Sequence, residues 1–146
     1  MSIPLISAAP KPFKGCYLQS EDFVYPASAV TYTSWSVVAY DTDGFFNADN
    51  DTRITIPAGV KKIRFQTFSE LSMFNNEEHT MIVRKNGAGM QLPNVNMEHK
   101  GKISEYISPI IDVEEGDYFD RGIYHGYGSA RNGHNERDYF ALEVIE

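Results

Sequence analysis

Hydrophobic and polar residues alternate with a period of two along most of the chain after about residue 28. Ile63 and Phe65, for example, alternate with Lys62 and Arg64. Because successive side chains of a strand point to opposite faces, this alternation predicts β-strands with one face toward a core. The predicted strands are Thr31–Tyr40, Thr52–Ile56, Val60–Phe68, Thr80–Arg84, Ile103–Val113, Tyr118–Tyr124 and Tyr139–Ile145.

Turn signals separate these strands at short intervals. No window of about 11 or more residues has the 3.6-residue period of a helix, so we expect helix to be nearly absent. Short strands with a turn every ten residues or so are typical of a β-sandwich or barrel, whereas a propeller or solenoid would need internal repeats, which we do not find. The turn signals are Asp43-Gly44, Pro57-Ala58-Gly59, Asn86-Gly87, Glu115-Gly116 and Asn132-Gly133.

The first 27 residues have a different character. They carry Pro4, Pro10 and Pro12 and short apolar clusters without a sustained period, which predicts an extended arm over residues 1–27 before a β domain over residues 28–146. A Pro-rich extended segment spans about 3.1 Å per residue, so such an arm reaches well beyond the body. We expect it to dock on a neighbouring subunit or a partner through Ile3, Leu5, Ile6, Phe13 and Tyr17.

The order of segments resembles the complement-globular-head and tumour-necrosis-factor-like jelly-roll domain, especially the version found in virion proteins of tailed phages. The resemblance covers about residues 28 to 146 and implies a jelly-roll β-sandwich of about ten antiparallel strands in two sheets, usually a tight trimer. A collagen-like stalk is lacking, so the partners of the complement proteins are not implied. The segments are Trp35 with a following VVAYDT, then TRITIPAGV leading to Ile63-Arg64-Phe65, then IVRKNG, GDYF and YFALEV.

Several strand residues that alternate off the core face are apolar. They are Phe68, Ile82, Tyr139 and Ala141, and they make these faces more apolar than a solvated outer sheet face usually is. Burial against copies of the same chain would account for them. Base rates for homo-oligomers favour a dimer, and the preference for a homotrimer comes from the resemblance.

Length and charge restrict the function further. The chain has 146 residues, enough for one domain, and a formal net charge of -7, which opposes binding to nucleic acid. No run approaches the roughly 18 apolar residues of a spanning helix, and the start lacks a basic segment before an apolar stretch, so we expect no membrane insertion.

The search for catalytic or metal chemistry is mostly negative. Four aspartates cluster between residues 41 and 51, but a calcium loop needs Gly at its sixth position and Glu at its twelfth, so solvated turns are the better interpretation. No metal-binding His or Cys spacing and no Gly-x-Ser-x-Gly motif occurs. Cys16 falls in the predicted arm, without a rigid pocket. We therefore expect no enzyme activity and no cofactor, and we interpret His79, His99, His125 and His134 as exposed loop residues.

The stretch from Gly122 to Asp138 is rich in glycine. One interpretation is a recognition loop, since Tyr, Ser, Gly, Asn and Arg supply adaptable contact surface at low entropic cost. The favoured alternative is a long connection between the last two strands, with glycines for turn geometry. The candidate recognition residues are Tyr124, His125, Tyr127, Arg131 and His134.

These features predict a non-enzymatic protein, and the resemblance implies a phage structural protein on the outer surface of the virion. The first hypothesis is a trimeric decoration or cement protein on the head exterior, whose arm binds the major capsid protein or another virion protein. The alternative is a receptor-binding or adhesin module of a tail fibre or spike that recognises a host glycan or protein. A fibre tip normally needs a stalk, and the chain has no coiled-coil heptads or repeats, which favours the first hypothesis.

Overall fold

The structure is a computed structural model, which describes residues 12–72, 77–90 and 102–146, and the backbone of residues 97–100. In the described part of the chain, helix is limited to one 3-10 turn at Ala48–Asn50. The strands are β1 (Gly15–Gln19), β2 (Val24–Tyr25), β3 (Thr31–Tyr32), β4 (Val37–Asp41), β5 (Ile54–Thr55), β6 (Lys62–Glu70), β7 (Glu78–Lys85), β8 (Ala88–Gly89), β9 (Met97–Lys100), β10 (Ile103–Ile107), β11 (Ile111–Asp112), β12 (Tyr118–Tyr124), β13 (Arg131–Asn132) and β14 (Tyr139–Val144).

The strands form two six-stranded antiparallel sheets and a small ribbon. Sheet 1 has the order β10-β6-β14-β1-β4, with β11 also paired to β6. Sheet 2 has the order β3-β12-β7-β8, with β5 paired to β12 and β9 to β7. The ribbon consists of β2 and β13. The all-β class predicted from the alternation is confirmed.

The core lies between the two sheets. Phe65 of β6 and Phe140 of β14 face inward from sheet 1 with ring centroids 5.1 Å apart. Phe119 of β12 faces inward from sheet 2, and its ring centroid lies 5.9 Å from that of Phe65. All three side chains are buried, and offset or tilted aromatic pairs contribute packing energy beyond their buried area. These rings join the two sheets.

The predicted boundary between arm and body at residue 27 is wrong. Strand β1 lies inside sheet 1, paired with β14 on one side and β4 on the other, and β2 also belongs to the folded body. Cys16 is therefore a buried β1 residue, and burial raises the pKa of its thiol far above the ordinary range. Ile3, Leu5 and Ile6 lie outside the described residues. An arm that precedes the body is at most the segment before Gly15.

Two predicted strands are divided. The run from Thr31 to Tyr40 becomes β3 in sheet 2 and β4 in sheet 1, because the chain crosses between the sheets at the buried Trp35. The run from Ile103 to Val113 becomes β10 and β11, which pair with β6 on either side of Pro109. Proline has no backbone N–H to donate to a ladder, which explains the interruption.

Two histidines differ from the prediction of exposed loop residues. His79 lies on β7 and is buried, because that position faces the core side of sheet 2. His125 follows β12 and is also buried. His134 is exposed, as predicted, and His99 lies on β9, where the backbone alone is described.

The aspartate-rich segment folds as turns. The carboxylate of Asp41 accepts hydrogen bonds from the backbone N–H groups of Gly44, Phe45 and Phe46 at 2.9 to 3.0 Å. Asp51 accepts one from the hydroxyl of Ser34. These carboxylates are used by the local backbone and a neighbouring side chain, as Asp does in capped turns. No helix in the described part of the chain has the length and apolar character that crossing a bilayer requires.

Candidate interaction surfaces

The outer face of sheet 1 carries a row of contacting aromatic rings, which we call the aromatic row (Phe13, Tyr40, Tyr17, Tyr139 and Phe68). Tyr17 of β1 lies at its centre, with ring centroids 5.8 Å from Tyr40 and 5.1 Å from Tyr139. Tyr139 stacks on Phe68 at 5.7 Å, as their register positions require. Phe13 meets Tyr40 edge to face at 5.4 Å. The row therefore crosses four strands, from β4 to β6.

The opposite edge of sheet 1 carries a different apolar patch, the isoleucine edge (Ile103, Ile107 and Ile110). The exposed fractions of these residues are 51%, 58% and 55%. Ile103 and Ile107 alternate on β10 with Ser104 and Tyr106, which are buried, so both isoleucines point away from the core. The isoleucine edge lies beside the β6 end of the aromatic row, because Glu105, between the two isoleucines, pairs with Phe68.

A groove of about 440 Å³ lies between these patches. Ala141 provides part of its lining, and Phe13 and Ile107 lie along it. At one side Arg64 donates to Glu143, with 2.7 Å between Nε and Oε1. The small Ala141 side chain lies on this face of β14 between the larger side chains of Tyr139 and Glu143.

The predicted interface residues do not form one surface. Phe68, Tyr139 and Ala141 share the outer face of sheet 1. Ile82 lies on β7 in sheet 2, so it belongs to the opposite side of the sandwich. The prediction grouped these four residues because alternation reports that a side chain faces outward but not on which sheet. Phe13 and Tyr17, predicted as arm contacts, belong to the aromatic row instead.

The predicted recognition loop is largely tied to the body. His125 is buried, and its Nε2 lies 2.8 Å from the carbonyl oxygen of Tyr25. The hydroxyl of Tyr127 accepts a hydrogen bond from the backbone N–H of Glu78 at 2.6 Å. Arg131 donates to both carboxylate oxygens of Glu77 at 3.0 and 2.7 Å. These three side chains hold the loop in place. Tyr124 and His134, the other two candidates, are exposed.

A buried polar cluster lies beneath that loop. The carboxylate of Asp138 accepts hydrogen bonds from the hydroxyls of Ser20 at 2.9 Å and Tyr25 at 2.5 Å, and it pairs with the guanidinium of Arg121. Arg121 and Asp138 are fully buried. Burial opposes the charge of Arg121, but Asp138 and Tyr25 outweigh it and raise its pKa. Burial also raises the pKa of the Tyr25 hydroxyl above its ordinary range. The cluster joins β2 and β12 to the start of β14.

Different segments of the chain lie at the two ends of the sandwich. At one end, the near end, the backbone N–H of Val144 bonds the carbonyl of Lys14, so the N-terminal segment and the C-terminal strand meet there. At the other end, the far end, Ser20 N–H bonds the carbonyl of Asp138, and the loop between β12 and β14 lies there. The residues that precede β1 in the described part of the chain and the predicted recognition loop thus lie at opposite ends.

Comparisons with known proteins bear on the fold. No protein-family model matches the sequence. No curated protein matches it. Solved structures do match. The globular domain of zebrafish complement 1qA protein has a TM-score of 0.60 and 9% sequence identity, over 92% of this chain and 98% of that one. Murine APRIL has a TM-score of 0.65 and 8% sequence identity, over 92% of this chain and 100% of that one. A third is the Eiger TNF of S. frugiperda, with 0.54 and 9% over 93% and 94%.

The fold is the complement/tumour-necrosis-factor-like jelly roll. The jelly-roll prediction is thereby confirmed, and identities this low show the fold alone. In this jelly roll, the two patches of sheet 1 and the far-end loop are the candidate interaction surfaces. Sequence reasoning missed Tyr40 and the isoleucine edge, although Ile103, Glu105 and Ile107 alternate with buried residues and carried the signal. The pairing of Arg121 with Asp138 had no signal in the sequence.

Proposed function

We propose that the chain is a non-enzymatic structural protein of a phage particle, and that it acts as a homotrimeric decoration or cement protein on the capsid exterior. The observation that carries the trimer is the pair of unlike apolar patches on the outer face of sheet 1. An isolated chain would expose both patches to water, which is unfavourable in proportion to their area.

The arrangement of the patches favours a ring over a two-fold dimer. A two-fold interface uses the same surface patch on both subunits, whereas a head-to-tail interface joins two different patches and closes into a ring. The isoleucine edge of one copy fits this second type when it packs on the groove beside the aromatic row of the next. The number three comes from the resemblance to the jelly-roll family.

The attachment to the particle is proposed for the segment that precedes the body. Residues 1–11 join the body at the near end, and they contain Ile3, Leu5 and Ile6. Burying an Ile or Leu side chain contributes roughly 1.5–3 kcal/mol, so three such segments on one trimer supply a durable attachment after the ordering cost. The partner is the major capsid protein or another virion protein, and the net charge of -7 suits a protein displayed outward at high copy number.

The oligomer is tested by light scattering after size exclusion. The wild-type protein is expected to elute at three times the mass of the chain. Ile107→Glu places a charge on the isoleucine edge, where the side chain is 58% exposed, and is expected to yield monomers with an unchanged circular dichroism spectrum. The control is Val30→Glu, a 42% exposed side chain outside sheet 1, which is expected to leave the trimer intact. A monomeric wild-type protein, or a trimeric Ile107→Glu variant, would contradict the proposed interface.

The attachment is tested with a truncation that spares the body. Deletion must stop at Lys11, because Phe13 packs on Tyr40 and the carbonyl of Lys14 accepts a hydrogen bond from the backbone N–H of Val144. The protein that lacks residues 1–11 is expected to remain a folded trimer but to lose binding to undecorated capsids in a sedimentation assay. Decoration at the wild-type level by the truncated trimer would rule out the arm as the attachment.

A second candidate function is a receptor-binding module that recognises a host glycan or protein. The observation that favours it is the exposed surface at the far end, opposite the attachment of residues 1–11.

A further inference from the structure

A shallow depression lies at the far end, and its lining includes His134, one of the two exposed residues of the predicted recognition loop. It has a volume of about 500 Å³ and is open to solvent. The ribbon of β2 and β13 forms one wall, and the turn before β14 forms the other. Its lining residues are Asp22, Val24, Asn132, Gly133, His134 and Asn135.

The walls of the depression are held by hydrogen bonds between segments far apart in sequence. The side-chain oxygen of Asn135 accepts a bond from the backbone N–H of Asp22 at 2.7 Å. The backbone N–H of Gly133 donates to the carbonyl of Phe23 at 2.8 Å. Under the floor, Gly133 packs directly on the buried Asp138 and Tyr25. The site is therefore preorganised, which lowers the entropic cost of binding a ligand.

The exposed groups of the depression have a specific chemistry. Asp22 supplies a carboxylate, of which Oδ1 already accepts a hydrogen bond from Nδ2 of Asn135 at 3.3 Å, and Asn132 supplies an amide that donates and accepts. Nδ1 of the His134 imidazole lies 3.0 Å from the carbonyl oxygen of Asn135, so Nε2 is its remaining polar atom. Val24, 46% exposed, adds an apolar surface beside them. Pyranose rings present neighbouring hydroxyls, each a donor and an acceptor, together with an apolar face of C–H groups. The two sets match.

Charge selects among such ligands. The lining contains a carboxylate and no Lys or Arg, and the whole chain carries a net charge of -7, so an anionic ligand would be repelled. A single carboxylate is also too few for a calcium site, which takes six to eight oxygen ligands. We propose that the depression lined by Asp22, Val24, Asn132 and His134 binds a neutral saccharide. This proposal rests on the second candidate function, glycan recognition at the far end, and on neither the trimer nor the arm, so its failure would leave the trimer and the arm untouched.

The experiment is saturation-transfer NMR on the full chain with the methyl glycosides of glucose, galactose, mannose and N-acetylglucosamine, and with sialic acid as the anionic comparison. At least one neutral glycoside is expected to receive magnetisation, and sialic acid is not. Absence of transfer to all four neutral glycosides, or transfer to sialic acid alone, would overturn the proposal.

Two substitutions locate the site. Asp22→Asn removes the charge but keeps a residue that tolerates the left-handed backbone (φ 54°) at this position. Val24→Thr removes apolar surface and keeps the β-branched shape that suits β2. Each is expected to weaken binding, Asp22→Asn by about tenfold because it loses a charge-assisted hydrogen bond.

Matched controls make the same chemical changes elsewhere. Glu115→Gln neutralises an exposed carboxylate in the turn before β12, and Val38→Thr alters an exposed β4 valine that is 44% accessible, close to the 46% of Val24. Both controls are expected to bind like the wild type. Unchanged binding by Asp22→Asn and Val24→Thr, or equal losses in the controls, would place the saccharide elsewhere and refute the site.

Discussion

Asp138 shows how one side chain joins parts of the chain that are distant in sequence. It pairs with Arg121 of β12 and accepts hydrogen bonds from Ser20 and Tyr25, so the far-end segments meet at one carboxylate. Removing two charges from water costs several kcal/mol per ion, and the pair offsets this cost only while both partners are present. The contribution of each residue therefore depends on the other.

This dependence predicts a strong coupling in a double-mutant cycle. Arg121→Met leaves a buried carboxylate without its cation and is expected to lower the free energy of unfolding by about 3–5 kcal/mol. The double variant Arg121→Met, Asp138→Asn is expected to lose less than the sum of the single variants. The unfolding free energies of all the variants are measured by urea unfolding followed by Trp35 fluorescence. The Trp35 ring centroid lies 5.0 Å from the Arg121 guanidinium carbon.

The surface pair of Lys62 and Asp112, which lies outside the groove at which copies are proposed to meet, serves as the control for this cycle. Their side chains are 41% and 86% exposed, and exposed ion pairs contribute little to stability. Lys62→Met is therefore expected to change the unfolding free energy little. Additive losses for Arg121 and Asp138 would show that the buried pair does not act as a unit.

At the level of elements, the loop between β12 and β14 is held by packing as well as by hydrogen bonds. Two of its glycines have different surroundings. A Cβ atom at Gly133 would lie 2.5 Å from the Oδ2 atom of Asp138 and 3.1 Å from the Tyr25 ring, whereas a Cβ atom at Gly128 would have no neighbour within 4 Å. Gly133 is thus required by close approach, although the Asn132-Gly133 pair was predicted as a turn.

The two glycines give a matched pair of substitutions. Gly133→Ala is expected to destabilise the fold by about 1–3 kcal/mol, because the added methyl group displaces buried neighbours. Gly128→Ala is expected to have an effect within about 0.5 kcal/mol, as surface substitutions usually do. Thermal unfolding of both variants measures the difference. Equal melting temperatures would mean that the loop accommodates the added methyl group without loss of stability.

The turns between elements were the best-predicted local features. Gly44, Gly59, Gly87 and Gly116 all carry positive φ, as their turn signals predicted. A residue without a Cβ atom is favoured in that conformation, so the position of a turn can be predicted from the glycine itself. Strand β1 was missed for the opposite reason: its place in sheet 1 depends on pairing with β14, at the other end of the sequence.

At the scale of the whole molecule, the proposed trimer links stability to association. The folded chain exposes the isoleucine edge and the aromatic row on one sheet, and burial between copies stabilises the folded state by mass action. The melting temperature of the wild-type protein is therefore expected to rise with protein concentration. The melting temperature of the Ile107→Glu variant is expected to be independent of concentration, and calorimetry over a dilution series compares the two. A wild-type melting temperature that does not change with protein concentration would argue against the interface.

The sequence by itself determined the β class, the inward or outward side of most strand residues, and the places where the chain turns. These are local properties: side chains alternate along a strand, and glycine tolerates a left-handed backbone, whatever the strand packs against. The tertiary structure alone decided which outward residues share a surface. It placed Ile82 on the sheet opposite Phe68, paired Arg121 with Asp138, and brought Asp22 beside Asn135, because contacts between distant segments depend on strand order and register, which no local pattern encodes.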